Sequence, residues 1–274
     1  MGHFLSCFEH DLAESAAVTD RTARRLVVFV HGWRGHPLDT WGGFPEPPDD
    51  VWWREADLLF VAYDSTKESM TASADRLRSR IGDFYPRPYE AMLTNEVASV
   101  RDDRDRDYEE LIIVGHSLGA VVARRAVVDA LDEWASTDYE GGTRPSILDA
   151  RLRLFSPASA GFAPRGLLGA FRATPTWWVA EMFLRRGGAY PDLQPGSPVL
   201  VSTRKRTERY GSEDVRAGAL AAHLLWANPE RVVTTERYDT DPVSRTMDGT
   251  DHRSVCKPDI GYTAPFHFVQ AGTL

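Results

Sequence analysis

Residues 111–119 read LIIVGHSLG. Four branched apolar residues run into Gly115, and Ser117 stands where that run ends. Past Gly119, the residues Val121, Val122, Ala126, Val127, Ala130 and Leu131 recur at helical spacing with charges between them. The stretch therefore predicts a strand buried on both faces, a sharp corner and a helix. A serine at that corner has two physical uses: it can cap the helix as a turn hydroxyl, or it can be held out, exposed, as a nucleophile.

Outward from this corner, strand and helix signals alternate. RLVVFVHG (25–32), DLLFVAYDS (57–65) and ELIIVGHS (110–117) are continuous apolar runs, and ARLRLFSP (150–157) is a weaker one interrupted by arginines. A helical stretch begins near Ser69, and the mixed charge run VRDDRDRDYEE (100–110) reads as the solvated end of a helix leading into the next strand. Alternating strands and helices give the fold class: α/β, a three-layer α/β/α sandwich around a mostly parallel central sheet. Residues 160–195 stand apart, apolar and aromatic but broken by glycine and proline. The economical organisation is a single domain over 1–274 with a lid insertion at about 160–195.

The chain has 274 residues and a formal net charge of −8. That balance argues against nucleic acid as a partner, since phosphate binding uses a basic surface. Cys7 and Cys256 lie near opposite ends with no metal-type spacing, which fits a reducing compartment. The first residues carry neither a basic region nor a long apolar run, and no apolar stretch approaches the roughly 20 residues of a membrane span. A cytoplasmic protein with no transmembrane segment is expected.

GHSLG fits Gly-x-Ser-x-Gly through Gly115, Ser117 and Gly119. The serine backbone in such a turn is strained, and side chains two residues to either side would collide with it. The following helix aims free N–H groups and a positive dipole end at the same place. The run VVFVHGWRGH (27–36) offers a second donor, so the N–H groups of Trp33 and Leu118 are the candidate oxyanion hole.

A nucleophilic hydroxyl also needs a base. Of the eight histidines, His3 and His10 precede the first convincing strand, and His31 and His36 lie in the oxyanion loop. His116 adjoins the serine and points away from it. His223 sits in the apolar ALAAHLLWA, and His267 lies near the C-terminus. His252 follows the strand-like VSRTM and a polar turn, in the order serine, acid, histidine. The acid should close the preceding strand, where AHLLWANPERVV places Glu230, with Asp239 and Glu236 open as alternatives.

These segments resemble the α/β-hydrolase superfamily, and more narrowly the lipase-like serine hydrolases that include GPI-inositol-deacylase-like and related serine-active-site proteins. VVFVHGWRGHPLDTW, LLFVAYDS, LIIVGHSLGAVVARRAV and DGTDHRSVCKP carry the resemblance. YPDLQPGSPVL is similar to a stretch after the lid where a helix begins beyond PGS. The resemblance implies an eight-stranded, mostly parallel sheet, a Ser-His-acid triad, and neither metal nor organic cofactor. It also implies an opening antiparallel strand pair, which the roughly 25 residues before the first apolar run are expected to shorten. The family's D-x-V-V aspartate is replaced by Glu230 in ERVV.

The expected activity is hydrolysis of a carboxylic ester, small-molecule or lipid, with Trp177, Trp178 and Phe183 lining an acyl-chain pocket. The competing expectations are a thioesterase or amidase using the same residues, and a ligand-binding or regulatory module without turnover, since fold alone does not establish chemistry.

Overall fold

Eight strands form one sheet: β1 (His3–Cys7), β2 (Ala13–Thr19), β3 (Arg25–Val30), β4 (Ala56–Val61), β5 (Glu110–His116), β6 (Ala150–Phe155), β7 (His223–Asn228) and β8 (Val243–Asp248). The computed structural model describes residues 2–94, 99–101, 105–136, 143–162, 188–213 and 215–274. The spatial order is β1-β2-β4-β3-β5-β6-β7-β8. β2 pairs antiparallel with both its neighbours, and every other neighbouring pair is parallel.

The continuous apolar runs have a simple cause. Along β3 and β5, Val28, Val30, Leu111 and Ile113 face one core, while Val27, Phe29, Ile112 and Val114 face another. The first core is closed by α2 (Met70–Arg80), α3 (Leu118–Ser136) and α4 (Pro198–Glu213). The second is closed by α1 (Val51–Arg54) and α5 (Ala264–Ala271), with Trp41 and Phe44 from the loop after β3. Each core strand is thus buried on both faces, as a doubly covered parallel sheet requires. The helix expected after PGS is α4, and the one expected near Ser69 is α2, whose Ser69 hydroxyl caps the Ala72 N–H at 3.2 Å.

Two expectations are corrected. The antiparallel pair is present as β1 and β2, with five residues of each in register. HFLSC and AESAAVT escape notice because their buried positions carry Ala, Ser, Val and Thr rather than a large apolar run. The charge run at 100–110 forms no helix among its described residues. Instead Arg101 is buried, forks onto the buried Asp57 of β4, and shares it with the Tyr108 hydroxyl at 2.6 Å and the Thr19 N–H at 3.1 Å. A desolvated carboxylate needs that many donors. Among the described residues, no helix is long and apolar enough to cross a membrane.

The glycines of the corner are set by β3 and α3 as much as by the serine. A Cβ on Gly119 would fall on the carbonyl oxygens of Val30 and His31, and one on Gly115 would fall on the Ala120 backbone. Helix α3 therefore seats directly on the end of β3. Gly119→Ala is expected to cost about 3 kcal/mol or more, because the obstruction is backbone. Urea denaturation checks this, and a loss below about 1 kcal/mol would mean that α3 slides freely off β3.

Candidate active site

The parallel strands β3 to β8 all end at one edge of the sheet, and the loops leaving that edge carry the candidate residues. Ser117 lies between β5 and α3 with φ of 54°, a left-handed backbone for a residue with a Cβ. Neighbouring backbone holds it there: the Ser117 N–H donates to Phe155 O at 3.0 Å, and the Ala158 N–H donates to Ser117 O at 3.1 Å.

His252 stands on the loop after β8, and its Nε2 lies 3.0 Å from Ser117 Oγ. Its Nδ1 lies 3.0 Å from Glu230 Oε2, on the turn after β7. A carboxylate accepts, so Nδ1 carries the proton and Nε2 is left to accept from the serine hydroxyl. Glu230 Oε1 accepts from the N–H groups of Val232 at 2.8 Å and Val233 at 3.2 Å. Burial works to raise the Glu230 carboxyl, but the bond and charge of His252, the Ser156 hydroxyl and the Val232 N–H outweigh it and hold the group below its ordinary range. Serine, histidine and glutamate thus form one hydrogen-bonded line, in which a hydroxyl can lose its proton as it attacks.

The alternative acids lie elsewhere. Glu236 pairs with Arg204, and Asp239 is exposed. Asp241 is buried against Arg124 of α3 at 2.6 Å. Ser117, expected to be exposed, is only 9 % exposed, and His252 is 8 % exposed. Both residues are therefore largely buried at this edge.

His116 turns away from Ser117, as its place in the strand predicts, but it is not idle. Its Nε2–H donates to the backbone carbonyl of His252 at 2.7 Å, and the two rings are 4.9 Å apart. Burial first, and the nearby His252 second, push His116 down to about 3, so it stays neutral. His116→Phe, which keeps an aromatic ring and removes the donor, is expected to lower kcat about tenfold with KM little changed, the size of one lost hydrogen bond. Steady-state kinetics decide this, and an unchanged kcat would show that the His252 loop holds itself.

At the end of β3, the loop expected to supply an oxyanion donor lies against the serine: a Cβ on Gly32 would sit 3.0 Å from Ser117 Cβ. Gly32 O accepts from the Gly35 N–H at 2.9 Å and from His31 Nδ1 at 2.9 Å. His31 is buried and stacks on Tyr63 at 4.2 Å.

The described ends of the 160–195 stretch meet each other beside this loop. The Phe162 N–H donates to Leu193 O at 2.8 Å, Phe162 bridges to Val233, and the Tyr190 ring lies 5.4 Å from that of Trp33. Trp177, Trp178 and Phe183 lie outside the described residues.

Arg34, Tyr63, Ser65 and Ser156 were not singled out by sequence, and of His116 only its direction was. The one available signal was the polar YDS closing an apolar run, since strand ends in such sheets face the site.

The architecture matches solved structures over nearly the whole chain. An α/β-hydrolase enzyme from the metagenome of sediments of the Mar Chica lagoon, Morocco, superposes with a TM-score of 0.50 at 13 % identity, over 96 % of each chain. The chain has the α/β-hydrolase fold. Phospholipase PlaB from Legionella pneumophila, solved with thio-NAD, superposes with a TM-score of 0.53 at 14 % identity, over 89 % of this chain and 57 % of that one. No family model matches the sequence, and no curated protein is significantly similar to it.

Proposed function

We propose that this protein is a serine hydrolase that cleaves a carboxylic ester through an acyl-enzyme. One observation carries this: the unbroken line from Ser117 Oγ through His252 to Glu230, with 3.0 Å at each link. Ser117 Oγ attacks the ester carbonyl while His252 Nε2 takes its proton, and Glu230 steadies the imidazolium. The N–H groups of Trp33 and Leu118 receive the oxyanion, each worth about 3 kcal/mol in comparable sites. His252 returns the proton to the leaving alcohol, and water repeats the sequence on the acyl-enzyme.

The substrate is a small-molecule or lipid ester. Residues 160–195 act as the lid, with Trp177, Trp178 and Phe183 against the acyl chain; the support is that both described ends of the stretch are anchored beside Trp33 and the turn after Glu230. The DHRSVCKP ending favours the GPI-inositol-deacylase-like group within the fold. A cytoplasmic setting accords with two free cysteines, of which Cys256 is buried with its thiol pushed up to about 12.

Fluorophosphonate labelling of the wild type, with the modified peptide mapped by mass spectrometry, tests the proposal, and a p-nitrophenyl ester series then sizes the pocket. Label on Ser117 is the expected result. A folded protein that neither labels nor turns over any ester would favour a ligand-binding module, and turnover of thioesters or amides alone would redirect the chemistry to those bonds.

A further inference from the structure

On the assignment of Ser117 as nucleophile and Trp33 N–H as oxyanion donor, we infer that Ser65 is a positioning residue that fixes that donor. Its hydroxyl holds one end of the oxyanion loop, and its carbonyl holds the root of the stretch that ends beside Trp33.

The direction of the Trp33 N–H follows from its own peptide group. In a trans peptide, the N–H and the preceding C=O point opposite ways. The preceding carbonyl, Gly32 O, is turned into the loop, where the Gly35 N–H and His31 Nδ1–H both reach it. The Trp33 N–H therefore points out of the loop, and among the described residues nothing accepts from it. What keeps this peptide from rotating is the hold on either side.

Both holds come from the loop after β4. On the near side, the Tyr63 hydroxyl donates to His31 O at 2.5 Å. On the far side, the Arg34 N–H donates to Ser65 Oγ at 2.7 Å. Arg34 has φ of 54°, a conformation that a non-glycine residue keeps only when its surroundings impose it. Ser65 is 2 % exposed, so no water replaces its hydroxyl without rearrangement.

The Ser65 carbonyl is committed as well, accepting from the Ala189 N–H at 3.1 Å. Gly188, with φ of 64°, lies so close to Ser65 and Thr66 that any Cβ would strike their backbone. Asp192 then caps the Met70 N–H of α2 at 2.8 Å. The oxyanion loop and the 188–192 root therefore share one bracket, and Ser65 is the residue that touches both.

Ser65→Ala and Tyr63→Phe test this, each compared with wild type on a p-nitrophenyl ester and its thionoester. A sulfur in place of the carbonyl oxygen fits an oxyanion hole poorly, so preference for the oxygen ester reports the hole itself. In both variants kcat on the oxygen ester should fall roughly 10- to 100-fold with KM changed less than about threefold, and the ester preference should shrink about tenfold. Tyr63→Phe keeps the stacked ring, so it remains informative if Ser65→Ala folds poorly. Unchanged ester preference in a folded variant would overturn the inference, even if kcat fell through a general loss of order. A wild type with no ester turnover and no label on Ser117 would instead remove the functional assignment on which it rests.

Discussion

Ser117→Ala is expected to lower ester turnover by about 10⁴-fold or more while leaving the fold in place. On the proposed mechanism the loss is large because the hydroxyl is the bond-forming atom, and His252 Nε2, 3.0 Å away, then has no proton to accept. The fold survives because what holds residue 117 is backbone, through Phe155 O and the Ala158 N–H. Alanine keeps a Cβ at φ of 54°, so the strain of the corner persists, and stability should change by less than about 1 kcal/mol. Ser117→Gly should be inactive too, but more stable than Ser117→Ala by about 1 kcal/mol, since only glycine adopts that backbone freely. Kinetics on a p-nitrophenyl ester and thermal melting of both variants check the pair. Alanine retaining a tenth of wild-type activity would mean another nucleophile does the work.

What the sequence made legible follows from how far each signal must reach. The strands β3, β4 and β5 announce themselves because each is covered on both faces, which forces unbroken apolar runs. The elbow is local, with Gly115, Ser117 and Gly119 all within five residues, and its glycines are demanded by contacts at the start of α3. His252 and Glu230, which the fold brings into line with Ser117, were read from order along the chain and from strand ends rather than from their immediate neighbours.

The remainder depends on partners far apart. His116 bonds a carbonyl 136 residues away, and Arg101 finds Asp57 at a separation of 44. A surface charge run and a buried ion pair look alike until the chain folds. β1 and β2 were missed for the opposite reason: at the margin of the sheet, packing is met by small residues, and the periodicity that marks a strand is weak. The Ser65 bracket combines both difficulties, because half of its grip is backbone and leaves no mark in residue types.

Glu230→Gln is expected to lower kcat by about 10³- to 10⁴-fold with little change in KM, whereas Asp239→Asn and Glu236→Gln should stay within about threefold of wild type. The effect is one of tautomer as well as charge. Glu230 Oε2 can only accept, which obliges His252 to carry its proton on Nδ1 and leaves Nε2 open toward Ser117. A glutamine amide can turn its NH₂ to Nδ1 instead, placing the ring proton on Nε2, where it blocks proton abstraction. Glutamine also removes the negative charge that, on the proposed mechanism, stabilises the imidazolium formed during attack. The same group adds a stability signature. Its folded carboxyl titrates below the ordinary 4.5 despite burial, through His252, Ser156 and the Val232 N–H. The associated stabilisation is therefore complete above the ordinary carboxylate range and is lost as pH falls through the depressed folded value. Denaturation midpoints of wild type and Glu230→Gln should accordingly differ at neutral pH and converge in acid. A glutamine variant with near-normal kcat, or a large loss in Asp239→Asn, would move the acid of this site to a different residue.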